Sequence, residues 1–555
     1  MATMHLATRF TKFSRTPWLS PFHRPPWKDP MKIRIVLTVA ALALAAGCSD
    51  SGKSGDSTHG GTAQPLATLA DYQSQHIEWQ PCPDHPGAEC GSIRVPIDYQ
   101  HPGDAAITMP LVKLAATNPA ARIGVLTANF GGPGVSGFDS TLDALNENDT
   151  TLRPLRERYD IIGWDPRGVG RSAGIVCLSD KDMDDYLATD FTPTDDAGRR
   201  KVVDALKHYG EGCRHHAGKL LGFVGTENIP KDMDVMRASL GEDKLNYIGF
   251  SYGTRVGQFY ADQFPDRVGR MLLDSIDDPG ENDASGDADD EFQPTPGELT
   301  QDERTVQTIL GACAARPSCP VGADPDVAMT NLRALIDRVE ADPIALPDGR
   351  KLGSNLALYG VFQATYSTDD WPILDKAIAD AEHGDGSGLA ALADAYLKRD
   401  AAGKFSTSPY AFSAVQCMNG DPAKYRSKSD AEIIDKLGRE AEKARVVSPL
   451  FGVAGVYRGA ECTFWPVAPS LKIHALKAAG APTIVLINNT GDAATTLAAA
   501  ENVARNLADA VLVVNERDDH IAYGKGSACV DGIVHDYFFN GTVPAHGTRC
   551  AATPS

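Results

Sequence analysis

Gly249-Phe250-Ser251-Tyr252-Gly253 follows the apolar run Leu245-Asn246-Tyr247-Ile248 and leads into a segment with Val256, Phe259, Tyr260 and Phe264 at helical spacing. A buried strand turning sharply into a helix through Gly-x-Ser-x-Gly lifts the serine oxygen to the C-terminal edge of a sheet. The next backbone N–H then faces the same pocket. Such a turn leaves no room for side chains beside the serine, which accounts for Gly249 and Gly253. The pentapeptide by itself recurs by chance, and a plain glycine-rich turn carrying a serine is the competing reading. The strand–turn–helix setting favours the first, and the rest of the chain can be searched for the partners a nucleophilic serine needs.

Upstream, residues 123–128 read as a buried strand ending in Asn129-Phe130-Gly131-Gly132-Pro133-Gly134. Only glycine lets a backbone N–H approach a substrate oxygen without a β-carbon in the way. A glycine-rich loop after an early strand is where an α/β-hydrolase places its second oxyanion donor. Apolar residues alternate in short bursts over 90–115, as in a leading antiparallel hairpin, and 160–164 read as the next strand. In the loop after it, Asp165 and Arg167 read as a structural pair rather than as catalytic groups. Residues 271–274 form another short strand, after which the pattern changes. From 277 to 466 the periodicities are helical, as in 306–310, 327–339, 356–362 and 373–379, with an acidic stretch over 281–291. Buried strands resume at 482–487 and 510–514. The expected fold is α/β: an α/β-hydrolase with a mainly parallel central sheet and an inserted, mainly helical cap. Residues 76–276 and 471–555 would build the core, and 277–470 the cap.

The loop after the penultimate strand carries Gly491-Asp492-Ala493-Ala494-Thr495, and the loop after the last carries Asp518-Asp519-His520. The order Ser251, Asp492, His520 is that of a hydrolase triad on this fold. A serine hydroxyl needs a base within hydrogen-bond reach, and histidine titrates near the working pH. Asp492 would fix the tautomer and stabilise the imidazolium. Of the 14 histidines only His520 lies in that last loop, and His535 falls within the expected final helix. Asp518 and Asp519 compete for the acid role but sit too near His520 in sequence to reach its ring from the usual side.

At 555 residues the chain can bury a large core, and a formal charge of −20 argues against nucleic acid and anionic membrane surfaces as partners. The first thirty residues (1–30) read as an over-extended start. Met31 then opens a basic, apolar, small-residue signal segment (31–47) ending at Cys48. Leu44-Ala45-Ala46-Gly47-Cys48 resembles a bacterial lipobox, apart from alanine three places before the cysteine. Lipidation of Cys48 would make an exported cell-envelope lipoprotein whose only membrane contact is the anchor; plain secretion is the alternative. Residues 48–75 would be a tether, Gly- and Ser-rich at the start. There are 11 cysteines, and setting Cys48 aside leaves an even number, as suits an oxidising compartment. Proximity pairs Cys82 with Cys90, Cys313 with Cys319 and Cys529 with Cys550, leaving Cys177 with Cys213 and Cys417 with Cys462. No Cys-x-x-Cys or His-Glu-x-x-His pattern suggests a metal site, and no cofactor is expected.

Taken together, segments 129–134, 159–172, 247–254 and 491–495, the cysteine-bearing tail from Gly526 to Cys550, Cys417 and Glu461-Cys462-Thr463-Phe464-Trp465-Pro466 carry a family likeness. Over residues 82–550 the chain resembles the secreted α/β-hydrolases of the tripeptidyl aminopeptidase family, related to prolyl aminopeptidases. The resemblance implies oxyanion donors at the N–H groups of Gly132 and Tyr252, and release of short peptides or amino acids from free N-termini. An enzyme of that kind must recognise an ammonium group, and Asp277, Asp278, Glu281 and Glu461 are the candidate carboxylates. A solvated acidic loop is the competing reading for the first three. Phe130, Asn419 and Leu497 depart from the family pattern, and Asn419, where aspartate is expected, bears on substrate preference. A carboxylesterase is the alternative, because the same triad cuts esters more easily than amides. A silent binding protein on this scaffold fits the intact triad poorly, and Ser251 excludes haloalkane or epoxide chemistry, which needs aspartate there.

Overall fold

The computed structural model of the chain describes residues 61–280, 296–419, 429–468 and 474–551. The expectations for the leader, Cys48, the first part of the tether and Glu281 lie outside the described residues. Eight strands form the body of the sheet: β1 (Glu89–Pro96), β2 (Ala106–Leu114), β3 (Gly124–Asn129), β4 (Tyr159–Trp164), β5 (Leu245–Phe250), β6 (Val268–Asp274), β7 (Ile484–Asn489) and β8 (Ala510–Asn515). Their order across it is β8-β7-β6-β5-β3-β4-β2-β1. Two-residue strands extend it at Arg549–Cys550, Gln80–Pro81 and Thr62–Ala63. β1 and β2 form the leading antiparallel hairpin, β2 pairs antiparallel with β4, and every pairing from β4 through β3 to β8 is parallel.

A parallel sheet needs crossovers that cover both of its faces, so its strands are apolar on both sides. Leu245 and Tyr247 of β5 enter one core, and Ile248 and Phe250 enter the other. β7 divides in the same way, Ile484 and Leu486 against Val485 and Ile487. These unbroken apolar runs make the sheet readable from sequence.

Between β6 and β7 the described residues are helical apart from the hairpin Ile344–Ala345/Lys351–Leu352 and one isolated bridge. Among these described residues eight α-helices succeed one another: α3 (Pro296–Ala314), α4 (Pro325–Ala341), α5 (Ser354–Gln363), α6 (Trp371–Glu382), α7 (Ser387–Leu397), α8 (Ser408–Met418), α9 (Asp430–Val447) and α10 (Gly452–Gly459). Local signals explain their limits. Asp324 accepts the N–H groups of Asp326 and Val327 with Pro325 in the first turn of α4, and Ser429 and Glu432 form a capping box on α9. On α9, Ile433, Leu437, Ala441 and Ala444 make one buried face.

The helical layer also draws on an earlier part of the chain. Helix α1 (Asp196–Ala217) lies between β4 and β5, yet it packs on α9 and on Ala460–Phe464. Its capping aspartate, Asp195, is clear in the sequence, but nothing local says which neighbour its apolar face will meet. The disulfides join Cys82 to Cys90, Cys177 to Cys213, Cys313 to Cys319, Cys417 to Cys462 and Cys529 to Cys550. The Cys529–Cys550 bond ties helix α11 (Ala528–Asn540), next after the His520 loop, to the short strand beside β8.

Asp165 and Arg167 do not pair with each other. Asp165 is fully buried and accepts the Ser136 hydroxyl (2.6 Å) and the N–H groups of Phe138 (3.1 Å) and Arg171 (2.8 Å). Arg167 instead binds Asp232 through Nε (2.7 Å) and Nη2 (2.6 Å). A guanidinium buried after β4 needs a carboxylate and several carbonyls, and its partner lies too far along the sequence for spacing to reveal it.

Candidate active site

At the end of β5 the chain turns directly into helix α2 (Tyr252–Gln263) through Ser251, whose φ is 54° and ψ −128°. A non-glycine residue at positive φ is held there by its surroundings, and a strained serine on a strand-to-helix turn is the geometry of a nucleophile elbow. The flanking glycines are sterically required. A β-carbon on Gly249 would stand 2.5 Å from the carbonyl oxygen of Gly253, and one on Gly253 would stand 2.4 Å from that of Asn129. The Asn129–Gly134 loop packs directly against this turn. A β-carbon on Gly131 would meet the Phe250 carbonyl at 2.7 Å and the Ser251 β-carbon at 2.9 Å, and the Phe130 and Phe250 rings stack at 5.7 Å. Tyr252 occupies the first turn of α2, where backbone N–H groups have no intrahelical acceptor. Its side chain is buried, with the hydroxyl 2.7 Å from Thr226 Oγ1.

Two strands away, Asp492 follows β7, and His520 follows β8. Imidazole Nδ1 of His520 lies 2.9 Å from both carboxylate oxygens of Asp492. Asp492 is almost fully buried, and its oxygens also accept the N–H groups of Ala494 (3.0 Å) and Thr495 (2.9 Å) and the Thr495 hydroxyl (2.9 Å). Burial alone would lower the pKa of His520. The charge and hydrogen bond of Asp492, aided by the charge of Asp274, overcome this and hold it above the ordinary histidine value. The rival acids face elsewhere. Asp519 accepts the Thr368 N–H (2.7 Å) and is ion-paired with Arg517, while Asp518 lies against Gly491. His535 sits on α11 beside the Tyr523 hydroxyl.

Contacts remote in sequence complete the site. The backbone N–H of His520 donates to the Tyr366 carbonyl (3.1 Å), and the Tyr366 ring meets the imidazole edge-on at 5.3 Å. Tyr366 belongs to the helical insert and clusters with Phe362 and Tyr396. The insert also reaches the elbow: Asn419, at the end of α8, accepts the Thr226 N–H at 3.1 Å. Its Nδ2 is buried with no hydrogen-bond partner among the described residues. Ser408, at the start of α8, packs so closely on Gly134 that a β-carbon there would stand 2.5 Å from the serine carbonyl. Helix α8 therefore runs from the glycine loop to the neighbourhood of Tyr252. In the sequence Asn419 stands out only as a departure from the family pattern, and nothing local marks Tyr366.

The candidate carboxylates for an ammonium group differ in their surroundings. Asp277 is ion-paired with Arg255 (2.6 Å). Burial raises its pKa, against the opposing pull of Arg255. Asp278 accepts from Asn502 (2.6 Å) and from the Gly280 N–H (2.7 Å). Glu461 has one carboxylate oxygen sealed from solvent with no hydrogen-bond partner among the described residues. Burial pushes its pKa up to about 7, against the opposing hydrogen bond from Ser413.

Comparison with known proteins agrees with this architecture. Residues 130–347 match the family model of the alpha/beta hydrolase fold, and residues 448–550 match that of TAP-like proteins. Serine protease Hip1 of Mycobacterium tuberculosis is 34% identical over 86% of this chain and 91% of its own length. Tripeptidyl aminopeptidase of Streptomyces lividans is 28% identical over 91% of each chain. Carboxylesterase B of Mycobacterium tuberculosis is 30% identical over 84% of this chain and 86% of its own. A relative above 30% identity across most of both chains, on a sheet whose strand order and elbow fit the same scaffold, places the protein in the tripeptidyl aminopeptidase family of α/β-hydrolases.

Proposed function

We propose that the protein is a serine exopeptidase that releases short peptides or amino acids from free N-termini through an acyl-enzyme on Ser251. The observation that carries this reading is His520 Nδ1 held by both oxygens of Asp492. That contact leaves Nε2 as the proton acceptor for the Ser251 hydroxyl. The serine oxygen adds to the scissile carbonyl, and His520 takes its proton and passes it to the leaving amine. Asp492 stabilises the imidazolium in between, and the N–H groups of Gly132 and Tyr252 receive the oxyanion. Water then hydrolyses the ester by the same steps, with His520 again as base. The helical region over 277–470 serves as a cap that limits the length of peptide admitted. A small-acyl esterase is the second reading, favoured by the relative named Carboxylesterase B.

Glu461 is the best placed of the three described candidates to meet a substrate ammonium. Asp277 is already neutralised by Arg255 and Asp278 is occupied by Asn502, whereas Glu461 is half-buried with one oxygen sealed from solvent and unpaired among the described residues. It adjoins Cys462, whose disulfide to Cys417 leads to Asn419, Thr226 and the Tyr252 hydroxyl. A desolvated carboxyl with a raised pKa gains most from an arriving cation. Glu461→Gln should weaken cleavage of free-amine peptide amides by about tenfold or more while sparing a small neutral ester. Peptides acetylated at the N-terminus should resist cleavage; if they are cut as fast as free ones, the esterase or an endopeptidase reading moves ahead.

Five disulfides fit an oxidising compartment and support export. The lipobox-like sequence before Cys48 extends this to a lipid anchor on the cell envelope. Mass spectrometry of the native protein should find an acylated cysteine as its first residue, and an unmodified terminus elsewhere would leave simple secretion.

A further inference from the structure

Asp274 ends β6 between the nucleophile strand β5 and the acid-bearing strand β7, and it is fully buried. Its carbonyl oxygen accepts the N–H of Ser251 at 3.0 Å. Its carboxylate turns the other way and accepts the N–H groups of Ala522 (3.1 Å to either oxygen) and Tyr523 (2.8 Å). The next residue, Ser275, accepts the Ile521 N–H on its hydroxyl at 2.9 Å and donates its own N–H to the Ile487 carbonyl at 2.9 Å. Two consecutive residues thus hold the serine from one side and three successive N–H groups just past His520 from the other. Ile521 and Ser275 both sit at positive φ, 71° and 62°, so the loop is bent where these bonds grip it.

We propose that Asp274, assisted by Ser275, is a positioning residue of the catalytic centre: its main chain fixes Ser251, its carboxylate fixes the His520 loop, and its negative charge supports the imidazolium. The inference rests on the triad reading given above. A neutral side chain of the same shape could hold a loop, so a buried carboxylate here needs a further reason. Burial pushes its pKa up to about 6 and the neighbouring Asp492 charge pushes the same way, against the two backbone N–H groups and His520. A charge in so unfavourable a place is explained by what it does to its neighbour, since it raises the pKa of His520 together with Asp492. Of the other charges around the imidazole, Lys525 opposes them, Asp277 is countered by Arg255, and Asp519 beside His520 is ion-paired with Arg517.

Asp274→Asn keeps the shape and one acceptor oxygen, which at the Oδ2 position can still reach both N–H groups, while removing the charge. The expected result is a kcat lower by about tenfold or more with KM nearly unchanged. The acid limb of the kcat/KM profile should also move to lower pH, because the imidazole loses a supporting anion. Asp274→Glu, if it folds, should recover part of the charge effect on the pH profile. Should Asp274→Asn not fold, Ser275→Ala removes only the Ile521 anchor, and a smaller loss in kcat at constant KM is expected. A wild-type kcat and pH profile in Asp274→Asn, or in Ser275→Ala where that variant stands in, would overturn the proposal. So would a loss explained wholly by a smaller folded fraction. Fluorophosphonate labelling of the wild type separates the two levels. If the probe does not react at Ser251 the triad reading fails; if it does and Asp274→Asn is indistinguishable from wild type, only this inference fails.

Discussion

Ser251→Ala should abolish labelling by a fluorophosphonate probe, and His520→Ala should lower kcat by about 10⁴- to 10⁶-fold, since triad members act as a unit. The geometry makes both losses specific to chemistry. Ser251 keeps its strained turn through its N–H bond to the Asp274 carbonyl and the packing of Gly249, Gly253 and Gly131 around it, none of which involves the hydroxyl. Both variants should therefore fold. Asp492→Asn should cost about 10⁴-fold for another reason: an amide can present its N–H₂ to Nδ1 and favour the wrong tautomer. The pH dependence has a fixed sign. The base must be neutral to accept the serine proton, and Asp492 holds the His520 pKa above the ordinary 6.5 despite burial. Activity should thus fall as the pH drops through a value above 6.5, and His520→Ala should lose that acid limb. Labelling that persists in Ser251→Ala would place the nucleophile elsewhere and sink the assignment.

The residues whose chemistry depends on local sequence are legible without the fold. Ser251 is marked by the glycines its turn requires, and Asp492 and His520 by the loops after two apolar runs. Strand order then carries the three to one edge of the sheet. Residues whose role depends on distant partners are opaque. Asp274 is visible in the sequence only as the end of a short strand, because the N–H groups it holds lie at 522 and 523. Asp277 looks like a free carboxylate at the mouth of an acidic loop, and only the fold brings Arg255 from the elbow helix to neutralise it. Asp165 and Arg167 show the same limit. Their types and positions suggest a pair, yet each finds partners of its own, and Asp165 accepts hydrogen bonds from three residues of the segments around it.

Arg167→Met should be the most destabilising single change outside the triad loops, by about 3–5 kcal/mol, because it strands the buried charge of Asp232. Both side chains are wholly inaccessible, and Asp232 also accepts the Tyr99 hydroxyl at 2.6 Å. The guanidinium donates in addition to the carbonyls of Ile97 (2.9 Å), Phe223 (3.1 Å) and Pro96 (2.9 Å). It therefore joins the end of β1, the loop after β4, the segment after α1 and the helix Ile229–Ser239 that precedes β5. Removing the carboxylate as well, in Arg167→Met with Asp232→Leu, should recover part of the loss, since no bare charge then remains. Recovery should be incomplete, because the Ile97 and Pro96 carbonyls lose the guanidinium and the Tyr99 hydroxyl loses its carboxylate, while the Phe223 carbonyl keeps Asn228 Nδ2 (3.1 Å); each unsatisfied polar group costs about 1–3 kcal/mol. Urea unfolding of the three proteins, read by the midpoint shift, tests the order wild type, double variant, single variant. A single variant within about 1 kcal/mol of wild type would mean that water reaches Asp232 readily, and that the cluster clamps nothing.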